Sequence, residues 1–333
     1  MTVSSTRAVS ALALLEMEIT TLCNKRCSFC YMLAELGTVS TAVADIDRVL
    51  ADARAMDVEH VVFSGGEAIL HPNLDAVLDC AVSHGYRPGL LTNGIGLTER
   101  RLTLLRDRAS FIQFSLHSLP EDDPEARRVV AQLEQLSAEG LPVTVLTMVG
   151  SHNLARLRPL LDLVRRLGVP AGIQRFCRPA VRRAGANMSA EYDMEVHAFV
   201  EACTIVWQAL ADNPLLNCED PLLNRFLAAD YVSLLAQHGG AGCVAGLSAA
   251  LLAVDGSLYP CAKLRISDTN AFRDGLETAW RQSAILDVLR GGPKDGPCAV
   301  CGYFGVCRGC RADAINRGAG LWGADPLCPG PIA

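Results

Sequence analysis

Cys23, Cys27 and Cys30 stand at CxxxCxxC spacing within the stretch Cys23-Asn24-Lys25-Arg26-Cys27-Ser28-Phe29-Cys30. Three thiolates on one short loop can hold three irons of a cubane cluster and leave the fourth iron open to chemistry. Zinc also takes thiolates, but structural zinc sites close with four ligands and usually pair their cysteines by twos. No fourth cysteine stands near this loop, so the spacing favours an iron–sulfur centre. The loop follows the apolar, alternating run Leu15 to Thr20, which places it at the end of a strand.

A second set of cysteines fills the C-terminal part: Cys243 and Cys261 with Gly256 between them, Cys298-x-x-Cys301, Cys307-x-x-Cys310, and Cys328. In isolation the CxxC pairs fit a zinc ribbon at least as well as an iron–sulfur site. Cys80 and Cys203 fall inside helical patterns and read as core filler. Cys177 closes the run Gln174-Arg175-Phe176-Cys177 at a predicted strand end, where a thiol facing a cavity rim could return a hydrogen atom to a substrate radical; packing is the more ordinary role. Arg175, Arg178, Arg182 and Arg183 offer a carboxylate or phosphate clamp, with a solvated basic loop as the plain alternative.

The elements that must position these groups follow a strand-then-helix rhythm. Strands are expected at Leu15–Thr20, His60–Ser64, Gly89–Thr92, Phe111–Leu116, Val143–Met148 and Ala171–Phe176. Between them, helical spacing carries Val43, Ile46, Leu50 and Ala53 behind a Ser40 cap, then Leu74, Val77, Leu78 and Ala81 ending at Gly85. Leu102 and Leu105, then Val129, Leu133 and Leu136, then Leu157, Leu161 and Val164 complete the series. Six such units imply an α/β fold, a partial (β/α)6 barrel with parallel strands inside and helices outside. In parallel barrels reactive groups gather where strands end. There stand Cys23 to Cys30, Ser64-Gly65-Gly66-Glu67, Thr92-Asn93-Gly94 and Ser115-Leu116-His117-Ser118. Residues 10–185 form this barrel, 186–238 a region with helical stretches Tyr192–Leu210 and Pro221–Ala236, and 239–330 a glycine- and cysteine-rich domain of little periodicity, expected to owe its fold to metal.

A chain of 333 residues, half of them hydrophobic, holds one large core plus a smaller module, or two ordinary domains. A net charge of -6 argues against a sequence-independent grip on nucleic acid. Clustered cysteines in a long chain with no export signal point to a reducing cytoplasm; Arg7 with Ala8 to Leu15 is short, lacks a clear cleavage site and reads as the lead-in to the first strand. No run is long and apolar enough to span a bilayer.

Cys23, Cys27 and Cys30, with Phe29 before the last cysteine and Tyr31 after it, resemble the signature of the radical S-adenosylmethionine (SAM) superfamily, and Ser64-Gly65-Gly66-Glu67 resembles its second motif. The resemblance implies a 4Fe-4S cluster whose open iron is chelated by SAM. Reductive cleavage of SAM then gives a 5'-deoxyadenosyl radical that abstracts hydrogen from an unactivated C–H bond. It assigns SAM contacts to Gly65, Gly66 and Glu67, whose glycines let the SAM amino acid approach and whose carboxylate accepts from its ammonium. Ser115 is similar to the ribose-contacting serine, and Asn93 and Tyr31 join the same pocket.

The C-terminal cysteines resemble the seven-cysteine SPASM domain, which binds two auxiliary 4Fe-4S clusters. By that likeness Cys243, Cys261 and Cys310 hold one cluster, and Cys298, Cys301, Cys307 and Cys328 the other. Seven ligands leave one place in eight, either open or filled by a further cysteine, with Cys218 the nearest upstream candidate. One departure is local: only Arg308 and Gly309 separate Cys307 from Cys310, where the family usually has three residues.

The implied function is that of an oxidoreductase or peptide maturase, with a ribosomally made peptide as substrate for crosslinking, epimerisation or oxidation. It would need an external one-electron reductant of flavodoxin or ferredoxin type. Some fourteen residues precede the first strand, so a leader-recognition protein is expected to be separate or unnecessary. A small-molecule substrate, such as a sugar or nucleoside intermediate, is the alternative. A non-catalytic iron–sulfur or zinc scaffold would have no use for an open iron beside Gly65 to Glu67.

Overall fold

The computed structural model describes residues 11–178, 180–181, 190–218, 220, 222 and 242–330. The barrel part alternates β1 (Leu14–Thr20), α1 (Val43–Ala55), β2 (His60–Gly65), α2 (Leu74–Ser83), β3 (Gly89–Thr92), α3 (Glu99–Arg108), β4 (Phe111–Ser115), α4 (Pro124–Ala138), β5 (Val143–Val149), α5 (Leu157–Leu167) and β6 (Ala171–Arg175). β1 through β6 lie side by side in that order, each parallel to the next. Local chemistry accounts for the helix ends. Asp123 accepts a hydrogen bond from Glu125 N (2.8 Å) ahead of Pro124, and Gly168 closes α5 with a left-handed φ of 65°.

The sheet is wider than the predicted six strands. After β7 (Ala180–Val181), α6 (Val196–Asp212), β8 (Leu216–Cys218), β9 (Ala249–Leu252), β10 (Leu258–Tyr259) and β11 (Leu264–Arg265), the strand order is β10-β9-β1-β2-β3-β4-β5-β6-β8. β9 runs parallel to β1, β8 parallel to β6, and β10 folds back antiparallel on β9. β10 and β8 are the edges, so the sheet stays open among the described residues. β7 pairs with β11 in a separate two-stranded ladder.

Two local expectations change. Ser40 does not cap α1, which starts behind Ala42; its hydroxyl lies 2.7 Å from that of Thr20, in an isolated bridge that ties the end of the cysteine loop back to β1. The predicted helix Tyr192–Leu210 begins at Val196, because Ala190–Tyr192 forms a separate 3-10 turn. The stretch Pro221–Ala236 lies, Leu222 apart, outside the described residues, as do Arg182 and Arg183.

The C-terminal part has more structure than its composition suggests. Helices at Leu276–Gln282 and Ala284–Gly291 bury Leu276, Trp280, Leu286 and Leu289 in the same core as Ile46 and Leu50 of α1 and Phe63 of β2. Asp52 of α1 accepts from Leu276 N (2.8 Å) and caps the first of these helices. Apolar burial therefore fastens this region to the barrel independently of any metal.

A buried arginine reinforces the junction. Arg265 of β11 forms a two-pronged pair with Glu18 of β1 (2.8 and 3.0 Å) and reaches Glu35 (3.0 Å). Both Arg265 and Glu18 are almost wholly enclosed. Burial raises the Glu18 pKa, and Arg265 offsets part of that rise. Arg265→Met is expected to strand this carboxylate and lower stability by about 3–5 kcal/mol in chemical denaturation, whereas the double change Glu18→Gln/Arg265→Met recovers most of the loss.

Candidate active site and metal centres

β1 ends at Thr20 with a register irregularity against β2, and there the cysteine loop leaves the sheet. Cys23, Cys27 and Cys30 are all half-buried; Cys27 feels the charge of Cys23, and Cys30 that of both Cys27 and Cys23. Burial raises the Cys27 thiol, with Lys25 pulling the other way, and pushes Cys30 up to about 11. Lys25 donates its backbone N–H to Cys23 Sγ (3.4 Å), while its ammonium reaches Cys27 and forms an ion pair with Glu125 of α4. Three sulfurs gathered beside a cation suit an anionic iron–sulfur cluster, and no further protein ligand stands on the loop.

The two glycines of the second motif meet the protein's own backbone. A Cβ on Gly65 would lie 2.3 Å from the Thr20 carbonyl, and one on Gly66 2.4 Å from that of Leu22. Gly66 N and Glu67 N donate to those same carbonyls (2.8 and 2.7 Å), stitching the end of β2 to the lead-in of the cysteine loop. Gly65 also holds a φ of 137°, a conformation side chains rarely adopt. Glu67 is buried, which raises its pKa; its two oxygens accept from Asn93 N (2.7 Å) and Ile69 N (3.4 Å). Asn93 in turn donates to Asn24 on the cysteine loop (2.9 Å), and Arg128 of α4 donates to its carbonyl (2.8 Å). Loop, β2 end and β3 end are thus one hydrogen-bonded unit.

Ser115 is exposed at the end of β4, on the same edge of the sheet. Tyr31 lies beside Glu18, with its ring beneath Arg265 (5.9 Å). Two residues that the sequence did not single out as partners, His117 and Tyr192, hold the loop from the other side. Phe29 packs edge-on against His117 (5.2 Å) and Tyr192 (5.5 Å), and Ser28 shares a hydrogen bond with the Tyr192 hydroxyl (2.6 Å). His117 accepts from Met148 N (3.0 Å), and desolvation, aided by His152 and Lys25, pulls its pKa down to about 4. It is a neutral wall at ordinary pH.

The arginine clamp is corrected. Arg175 is buried against Asp325 (3.0 Å to Oδ1), with its Nε 2.5 Å from Asp220 in a charge contact off hydrogen-bond alignment. Arg178 is engaged by Asp193 (2.9 Å). Both guanidinia serve internal carboxylates. Cys177 is buried rather than at a rim, and Cys80, expected in the core, is half-buried with its thiol on Asp47 (3.3 Å), where His84 converges as well (2.8 Å). Cys203 is buried as expected.

In the C-terminal part Gly256 makes the tight turn between β9 and β10 with a φ of 84° and so presents Cys261. Cys243, Cys261 and Cys310 line a single, largely apolar cavity with Leu264, Leu289 and Trp322. Cys298 lies within electrostatic reach of Cys328 and Cys301, and Cys307 of Cys328. Burial pushes Cys261 up to about 11 and Cys307 up to about 12. The short Cys307–Cys310 spacing is met by two successive left-handed residues, Arg308 (φ 67°) and Gly309 (φ 58°), with Gly309 N donating to Cys307 Sγ (3.3 Å).

Residues 17–170 match the family model of the radical SAM superfamily. That stretch carries a radical SAM superfamily domain. It is 28% identical to a PqqA peptide cyclase of Streptomyces rochei, over 96% of this chain and 90% of the relative. It is 24% identical to an AdoMet-dependent heme synthase of Methanosarcina barkeri, over 95% of each. In fold it is similar to Streptococcus suis SuiB, solved with S-adenosylmethionine (TM-score 0.77, 16% identity, 96% of this chain and 78% of SuiB). SuiB bound to precursor peptide SuiA gives a TM-score of 0.76 at 16% identity, over 96% of this chain and 76% of that one. Within the matched stretch the cysteine loop follows β1 and the Gly65–Glu67 motif closes β2.

Two outcomes follow for this radical SAM loop. Gly66→Ala forces a Cβ into the Leu22 carbonyl. It is expected to lower stability by about 2 kcal/mol or more and to reduce iron at the loop, read by thermal melts and iron analysis. Because burial keeps Cys27 and Cys30 protonated, iron uptake must release protons. Apparent iron affinity should therefore fall as pH is lowered, in titrations of a variant with the C-terminal cysteines replaced.

Proposed function

We propose that this protein is a radical SAM maturase that abstracts hydrogen from an unactivated C–H bond of a ribosomally made peptide, leading to a crosslink, an epimerised residue or an oxidised side chain. The observation that carries this reading is the hydrogen-bonded unit of cysteine loop, Glu67 and Asn93 at one end of the parallel sheet. Cys23, Cys27 and Cys30 are the residues that would hold a 4Fe-4S cluster, which when bound supplies the electron that cleaves SAM to the hydrogen-abstracting radical. The chain's own part is positioning. The Gly65–Glu67 segment offers backbone beside the loop for the SAM amino acid, Ser115 and Asn93 flank the place for its ribose, and Lys25 offsets negative charge at Cys27. Neutral His117 with Phe29 and Tyr192 closes one side to water.

Cys243, Cys261 and Cys310, and Cys298, Cys301, Cys307 and Cys328, are suited to two auxiliary clusters. These would take away the second electron in an oxidative outcome or orient the substrate. The peptide substrate is supported by the cyclase likeness and by the fold shared with SuiB, seen with its precursor peptide. An external flavodoxin- or ferredoxin-type donor would supply electrons, and a separate recognition protein could present the peptide. The heme synthase likeness supports a second reading, a small-molecule substrate.

The test is anaerobic incubation of reduced, reconstituted protein with SAM and candidate peptides in heavy water. Formation of 5'-deoxyadenosine is expected, and it should vanish in Cys23→Ala/Cys27→Ala/Cys30→Ala while about eight of about twelve irons remain. Product that gains one deuterium indicates epimerisation, and loss of two hydrogens indicates crosslinking or dehydrogenation. A protein that binds zinc in place of iron and sulfide, and never cleaves SAM, would refute the proposal.

A further inference from the structure

Seven C-terminal cysteines leave one of eight cubane positions without a ligand. We infer that Cys177, on the segment leaving β6, fills it as the fourth protein ligand beside Cys243, Cys261 and Cys310. This rests on the auxiliary-cluster reading above. The Cys177 side chain is 7% exposed and lies against Cys310, one of the three cysteines lining the shared cavity.

A neighbouring contact gives a second sign. Lys263, two residues from Cys261, donates to Gln174 Oε1 (3.0 Å) and to the Arg175 carbonyl (3.4 Å), so the Cys261 turn is tied to the strand end that carries Cys177.

The position is also fixed rigidly. Asp325 receives both the Arg175 guanidinium (3.0 Å) and Cys310 N (2.6 Å), so one carboxylate joins the end of β6 to the Cys310 turn. Cys218, the candidate from sequence, has its thiol against the Asp220 carbonyl (3.8 Å) and lies beside Cys203. Ligation turns the Cys177 thiol into an iron-bound thiolate; the proton leaves to solvent and no electron moves. A thiolate so bound has no hydrogen atom to return to a substrate radical, so the assignment replaces the donor role.

The test uses anaerobically reconstituted full-length protein, with iron and sulfide analysis, Mössbauer and EPR spectra, and redox titration. Wild type should hold about twelve irons. Cys177→Ala should lose one iron per chain and show the EPR signal of an oxidised three-iron cluster, while Cys218→Ala matches wild type. Cys177→Ser preserves size and hydrogen bonding, and it should keep the iron but shift one auxiliary cluster to a lower potential. This variant decides the matter if the alanine variant does not fold. Wild-type iron content, spectra and potentials in both Cys177 variants would overturn the assignment, as would loss of the iron in Cys218→Ala instead. Wild type holding only about four irons would remove the auxiliary-cluster reading itself, a separate and recognisable result.

Discussion

A buried guanidinium determines how the two parts of this molecule meet. Arg175 ends the last barrel strand, and its charge is neutralised by Asp325 near the C-terminus and by Asp220 just beyond β8. An unpaired charge at that depth would cost several kcal/mol, so the carboxylates must come to it. Asp325 then binds Cys310 N and Leu327 N (3.0 Å), and the cysteine-bearing turns around it inherit their position from the barrel. Such pairs add little net stability against an apolar alternative, but they specify one arrangement. Specificity is what a ligand set drawn from distant parts of the chain requires.

At the other end of the sheet the constraint is steric. The end of β2 approaches the Thr20–Leu22 segment so closely that Gly65 and Gly66 have no room for a side chain. A glycine pair in such a motif is naturally read as making way for a ligand. Here it first makes way for the backbone of the cysteine loop. The two purposes agree, because the same close approach puts unobstructed backbone next to the loop thiols. Glu67 likewise spends its oxygens on the N–H groups of Ile69 and Asn93, which fixes β3 relative to the loop. The motif is therefore as much a brace as a contact surface.

Much of this was legible in the sequence because the signals were local. Strand–helix alternation gave β1 through β6 to within a residue or so, and spacing alone grouped the loop cysteines. What escaped were features made by tertiary contact. β8 and β9 are three and four residues long, too short to show a period, and become strands only through pairing with β6 and β1. Arg175 looked like a surface clamp because the carboxylates that absorb it lie up to 150 positions away in sequence. Tyr192 and His117 carry no motif of their own. Their roles arise from Phe29 reaching across between them.

The shortened interval between Cys307 and Cys310 shows how far a spacing rule can bend. Removing one residue from a ligand loop would swing the second cysteine away unless the backbone turned more sharply. Arg308 and Gly309 supply that turn by both entering the left-handed region, at a cost of about 1–2 kcal/mol for the non-glycine residue. Arg308 is held there with its guanidinium over Phe304 (5.1 Å). Its neighbour must be glycine, since a Cβ at 309 would meet Arg311 at 2.6 Å and Asp325 at 3.0 Å. Strain of this kind persists only where the surroundings over-determine it. Here the surroundings are Asp325 on one side and the Cys243–Cys307 backbone bond (3.0 Å) on the other. Both belong to the cysteine framework, so the departure in spacing is compensated by the fold that depends on it.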